Sequence, residues 1–95
     1  MLRIIARICA RAGREAELRV VLRELLPATR SESGCLAYQL FQNADRVGEF
    51  VTVEQWTDQA AADAHLASPH VAAALARATD LLAQPPQIHR FDEVN

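Results

Sequence analysis

The spacing of apolar residues switches from two to about 3.6 and back again before residue 42, and this constrains the fold more than any other feature. Leu2, Ile4, Ala6, Ile8 and Ala10 alternate with Arg3, Ile5, Arg7, Cys9 and Arg11, the period of a strand with two unlike faces. Beyond Gly13 the period lengthens. Leu18, Val21, Leu22 and Leu25 recur at three- and four-residue steps, the buried stripe of a helix predicted over about residues 14–31. Glu15 and Glu17 suit its first turn, where the helix dipole favours acids. Pro27 is expected to kink the last turns, and Gly34 is a natural stop.

Alternation then returns. Leu36, Tyr38 and Leu40 oppose Cys35, Ala37, Gln39 and Phe41 over residues 35–42. Asn43-Ala44-Asp45-Arg46 is turn material. A third strand follows over residues 48–57, with Phe50, Thr52, Glu54 and Trp56 on one side and Glu49, Val51, Val53 and Gln55 on the other. Thr57 or Asp58 can cap a short helix over residues 59–67. Ser68-Pro69 reads as a restart, a serine cap with proline at the first helical position. The third helix is predicted to reach about Ala83, with Val71, Leu75, Ala78 and Leu82 inward. Pro85-Pro86 ends it, and residues 87–93 make a last strand.

Strand, helix, strand, strand, broken helix, strand is the order of an α+β, ferredoxin-like split βαβ domain: a four-stranded antiparallel sheet with helices on one face. One such domain accounts for residues 1–95. The other face would still carry Ile5, Cys9 and about half of the apolar strand residues. An exposed apolar sheet face calls for a partner, and a two-fold homodimer packed sheet to sheet is the simplest one. Composition agrees: 51% of residues are apolar, but many are alanine, so a lone protomer has a thin core.

Charge narrows the partners. The net charge is −2, and all ten basic residues are arginines scattered among acids. No basic patch for nucleic acid is visible, and without lysine a lysine Schiff base is excluded. No run approaches the roughly 20 apolar residues of a membrane span, and arginines interrupt residues 1–7 where a leader would be clean. A cytoplasmic protein is expected. Cys9 and Cys35 fall in strands, as small buried hydrophobes. The chain has no GxGxxG, GxSxG or CxxC, and nothing specifies flavin, nicotinamide, iron or zinc.

Candidate chemistry clusters in a few positions. Glu54 and Trp56 share one side of a strand with Phe50. Trp56 can wall a cavity, and a buried glutamate can act as base or acid near neutral pH. A salt bridge from Glu54 to Arg3, Arg7 or Arg90 is the competing role. His65 and His70 straddle Ser68-Pro69 and can reach one spot. Each is either a proton-handling group at a pocket mouth or a structural histidine bonded locally. No third metal ligand is fixed nearby, Asp58 and Asp63 being the only acids at hand, so no metal is expected. Tyr38 is a core ring or a hydroxyl that orients a substrate. Arg77 and Arg90 could offset an anionic oxygen or simply be solvated. His89 has no evident place.

Glu32-Ser33-Gly34-Cys35-Leu36-Ala37-Tyr38, then Glu54-Gln55-Trp56, then His65-Leu66-Ala67-Ser68-Pro69-His70 resemble, in order and spacing over about residues 3–92, the antibiotic biosynthesis monooxygenase (ABM) family, which includes small quinol monooxygenases. The resemblance implies a dimeric α/β-barrel assembly, with a cavity between sheet and helices in each protomer. It implies oxidation of a quinol or related phenolic or polycyclic ring by molecular oxygen with no metal or bound flavin, the deprotonated substrate itself passing an electron to oxygen. Tyr38, Glu54, His65 and His70 would then be catalytic, and Phe50, Trp56 and Arg77 substrate-binding. Other relatives degrade haem or isomerise a phosphorylated sugar. The haem degraders use an asparagine on the first strand and a histidine inside the last helix; Ala73-Ala74-Leu75-Ala76 has no histidine and the first strand no asparagine. A non-catalytic dimeric module binding small aromatic molecules is the alternative to an enzyme.

Overall fold

The elements follow one another as the changes of period predict: β1 (Leu2–Cys9), α1 (Glu15–Arg30), β2 (Cys35–Gln42), β3 (Glu49–Trp56), α2 (Gln59–Leu66), α3 (Pro69–Ala78) and β4 (Gln87–Asp92). They are taken from a computed structural model that describes residues 1–95. The strands form one antiparallel sheet in the order β2-β3-β1-β4. Ile5 of β1 lies opposite Val53 of β3 on one side and His89 of β4 on the other. This is the ferredoxin-like arrangement, with the helices on one face.

Each helix is set by a local signal. Gly13, at φ +84°, turns the chain out of β1, and its amide donates to the Glu15 carboxylate at 2.7 Å, which anchors the start of α1. The helix continues through Pro27 to Arg30. Asp58 caps α2 by accepting from the Ala61 amide at 2.8 Å. Ser68 caps α3, with Pro69 in its first turn. No helix is long and apolar enough to cross a membrane.

The inward row of β1 and the stripe of α1 are buried as their spacing requires. Two clusters result. The larger joins Ala6, Ile8 and Phe50 of the sheet to Leu18, Val21, Leu22 and Leu25 of α1 and to Val71, Ala74 and Ala78 of α3. The smaller joins Leu2, Ile4, Tyr38 and Trp56 to Ala62 of α2.

Three expectations are corrected. A bulge between Cys35 and Ala37 shifts the β2 register and turns Leu36 outward, 54% exposed, away from the side it was expected to share with Tyr38. The third helix stops at Ala78 and tightens into a 3-10 turn, Thr79–Leu81. A 3-10 turn advances by three residues per turn, so Leu81 is buried there in place of Leu82. Cys9 and Cys35 are half-buried, and both are free thiols.

Candidate active site

A cavity of about 280 Å³ lies between the sheet and α3. Its walls are mostly aliphatic: Ile8 and Ile88 from the sheet, Leu22 and Leu25 from α1, Val71 and Leu75 from α3. The polar groups reaching it are Tyr38, Thr52, Glu54 and His65. Strand alternation explains three of them. Thr52 and Glu54 share the inward row of β3, and Tyr38 lies directly opposite Glu54 on β2. His65 arrives from the last turn of α2.

Glu54 is only 3% exposed. No arginine pairs with it. Thr52 Oγ1 donates to its Oε2 at 2.7 Å, and Trp56 Nε1 donates to its Oε1 at 3.0 Å. The three arginines expected as its competing partners lie elsewhere. Arg7 bonds Glu49, Arg90 bonds Asp63 at 2.6 Å, and exposed Arg3 lies opposite Gln55 in the register. Both oxygens of a buried carboxylate are thus held by neutral donors, which is how such a group is kept inside a protein without a counter-ion.

His65 is equally buried. Its ring packs against Trp56 with centroids 4.7 Å apart and meets Tyr38 edge-on at 5.6 Å. Its Nε2 lies 3.9 Å from Glu54 Oε1. Its Nδ1 lies 2.6 Å from Oε2 of Glu32, and the same oxygen is 2.9 Å from Nε2 of His70. Burial, and then the charge of Glu54, push the Tyr38 phenol far above its ordinary range. It is a neutral hydrogen-bond donor at any physiological pH, and no base. Burial also raises the Cys35 thiol, with Glu32 and Glu54 adding to the effect, so Cys35 is a poor nucleophile.

The residues expected at the site divide. Tyr38, Glu54 and His65 line the cavity. Trp56 is fully buried behind Glu54 and His65 and supports them without facing the cavity. Phe50 is corrected to a core residue: it lies at the other end of the β3 row, in the larger apolar cluster beside α1. Arg77 is corrected to the outer side of α3, where it pairs with Glu24, away from the cavity. His70 does not line the cavity; it reaches Glu32. His89 sits on the outward face of β4 near Phe91.

Glu32 was given no role from the sequence, although it opens the first of the family-like segments. It lies 33 residues before His65 in sequence, so no local spacing could reveal it. The two acids weighed as metal ligands are engaged elsewhere: Asp58 caps α2 and Asp63 pairs with Arg90. Glu32, His65 and His70 bring three donor atoms within 4.8 Å of one another, so they are the group that could hold a metal. Donors on a shared tetrahedral zinc, at about 2.0–2.1 Å from it, lie roughly 3.3 Å apart. Here the two contacts to Glu32 are shorter, 2.6 and 2.9 Å. That is the spacing of atoms sharing a proton.

An α+β sheet with helices on one face, and a carboxylate and an imidazole buried at the cavity between them, define a ferredoxin-like α+β domain with a polar site inside. Comparison gives the family. The model of the family described as "Antibiotic biosynthesis monooxygenase" matches residues 1–77, and the chain belongs to that family. It is 37% identical over 82 residues, 86% of this chain and 80% of the relative, to the Mycobacterium tuberculosis protein named "Putative monooxygenase Rv0793". The solved structure of that protein superposes with a TM-score of 0.91 at 32% identity, covering 99% of this chain and 95% of that one. A crystal structure described as an antibiotic biosynthesis monooxygenase superposes with a TM-score of 0.93 at 33% identity over the full length of both chains.

Proposed function

We propose that the protein is a cofactor-independent monooxygenase that oxidises a small quinol or related phenolic ring with molecular oxygen. Family membership supports a monooxygenase-type function. The observation that carries the finer reading is the cavity: aliphatic walls, with a phenol, a carboxylate and an imidazole converging on one end. Its volume falls near the low end of the roughly 300–1,000 Å³ typical of small-molecule sites, which suits one or two rings.

The chemistry asks little else of the protein. A ring hydroxyl placed near His65 Nε2 and Glu54 loses its proton to the imidazole: the O–H bond breaks and an N–H bond forms. The electron-rich anion then reduces oxygen. One oxygen atom ends on a ring carbon, the other leaves as water with the help of the stored proton, and the ring supplies all four electrons in becoming a hydroxyquinone. Tyr38, held protonated, donates to a ring oxygen, and the aliphatic walls exclude water from the anion.

The phosphorylated-sugar reading is less well supported. No arginine lines the cavity, the chain has no lysine, and nothing there would meet a phosphate. We further propose a homodimer that covers the open sheet face and acts in the cytoplasm. Ile5, Val51, Val53, Phe41 and Phe91 share that face by register, and every residue of β4 is exposed in the single protomer. Light scattering should give twice the chain mass, and Val53→Asp should give monomers.

The decisive experiment supplies a quinol to protein treated with a chelator and follows oxygen. Uptake with formation of a hydroxyquinone, reduced about 10²–10⁴-fold in kcat by His65→Ala or Glu54→Gln, is the expected result. Binding of the quinol with no oxygen uptake would make the protein a binding module instead.

A further inference from the structure

The cavity explains the inward side of His65 and leaves its other side unused. Glu32 Oε2 is 2.6 Å from His65 Nδ1 and 2.9 Å from His70 Nε2. Glu32 and His70 are both part-buried and neither lines the cavity. A carboxylate oxygen only accepts, so each imidazole nitrogen facing it must carry a proton. For His65 this fixes the neutral tautomer: Nδ1 holds the hydrogen, and Nε2 is left as an acceptor on the Glu54 side.

We propose that Glu32 is the positioning carboxylate of this site, holding the Nδ1 proton of His65 so that Nε2 faces the cavity as a base, while His70 clamps Glu32 from the more exposed side. The inference rests on the monooxygenase reading only for the identity of the proton donor. When a substrate O–H gives its proton to Nε2, the resulting imidazolium lies between two carboxylates, Glu32 on Nδ1 and Glu54 at 3.9 Å from Nε2. The proton later moves from Nε2 to the departing oxygen, so none is gained or lost over the cycle. The same logic of base and orienting acid operates in other enzymes, where the acid sets tautomer and charge without itself reacting.

Local structure holds Glu32 in place. Its amide donates to Thr29 O at 3.0 Å, and its carbonyl accepts from the Cys35 amide at 3.1 Å. Gly34, at φ +89°, lets this turn press onto α2; a Cβ there would sit 2.7 Å from Ala61 Cβ and 2.8 Å from Thr57 Oγ1. Ser68 completes the arrangement by donating to the His65 carbonyl at 2.6 Å while capping α3, which puts the two imidazole rings 6.0 Å apart.

The test begins with the resting protein. Nitrogen-15 spectra of the histidine rings, taken at a pH where His65 is neutral, should show it as the Nδ1–H tautomer. Glu32→Leu removes the acceptor and should abolish that preference. Glu32→Gln keeps an accepting oxygen without the charge; it should retain the tautomer and lower kcat roughly 10–100-fold with little change in KM. It should also shift the pH profile of turnover. The groups that face His65 and can contribute to that profile are Glu32 from the α1–β2 turn, Tyr38 from β2, Glu54 from β3 and His70 from α3, with Cys35 near both carboxylates. His70→Ala leaves the Glu32–His65 contact in place and should keep the Nδ1–H tautomer while lowering kcat less than Glu32→Gln does. An Nε2–H tautomer in the wild type, or a preference unchanged in Glu32→Leu, overturns the proposal. So does stoichiometric binding of zinc that His70→Ala abolishes, because the three side chains would then be a metal centre. Folding of each variant is checked by near-ultraviolet dichroism of Trp56. The tautomer is read without substrate, so failure of oxygen uptake alone defeats the oxygenase reading and not this one.

Discussion

The two clusters under the helices use the same sheet row to opposite ends. At the end near Leu18, Phe50, Ile8 and Leu22 pack hydrocarbon on hydrocarbon. At the other, Trp56, Tyr38 and Ile4 enclose a carboxylate and an imidazole. Adjacent inward positions of β3 change from Phe50 to Thr52 to Glu54 to Trp56, so the change from a purely apolar interior to a hydrogen-bonded one happens within a single strand. The apolar end gains from burial alone. The polar end must also satisfy every buried atom, and Trp56 does both, as a large ring and as a donor to Glu54. The same strand therefore packs the core at one end and holds a hydrogen-bonded carboxylate at the other.

Substitutions can break or sharpen that contrast. Trp56→Ala should have the largest effect on stability, at least the about 3–5 kcal/mol of a large aromatic truncation, since it also removes a hydrogen bond from Glu54. Leu18→Ala should cost about 2–5 kcal/mol and leave binding of the proposed quinol intact. If urea unfolding showed Leu18→Ala to be the more damaging, the polar end would not be the more tightly coupled one. Gly34→Ala comes next, at about 1–2 kcal/mol for the left-handed backbone plus the clash with Ala61 and Thr57. It should weaken activity more than stability by moving Glu32.

Two smaller effects separate satisfied from unsatisfied polar groups. Thr29 is fully buried and its hydroxyl has no partner. Thr29→Val keeps the branched shape and should raise the unfolding free energy by about 1 kcal/mol. The last is a pH effect. Because the Tyr38 phenol is raised in the folded state, the native protein holds that proton where the unfolded chain releases it. Stability must then fall as pH rises above about 10, the ordinary phenol value. Comparing urea midpoints on either side of that pH, the fall should be smaller in Tyr38→Phe.

Much of this was legible in the residues. Alternation in β1 and β3, the leucine stripe of α1 and Ser68-Pro69 fixed the elements and their order, because a period of two or 3.6 decides which side chains share a face. Glu54 and Tyr38 followed from that parity. The bulge at Cys35–Ala37 and the 3-10 turn were not legible, since both are breaks in periodicity imposed by packing. Phe50 and Arg77 were misplaced for a related reason. Knowing that a side chain points inward, or lies on a given helix, does not say which part of the interior it reaches.

The amino-acid order determined the elements, their faces and the family, because these depend on neighbours a few positions apart. Only the tertiary structure joined Glu32 to His65 and His70, and gave Glu54 neutral donors in place of an arginine. Those contacts bridge separate elements, and their geometry is set by how the α1–β2 turn, β3, α2 and α3 pack together, which no local pattern records.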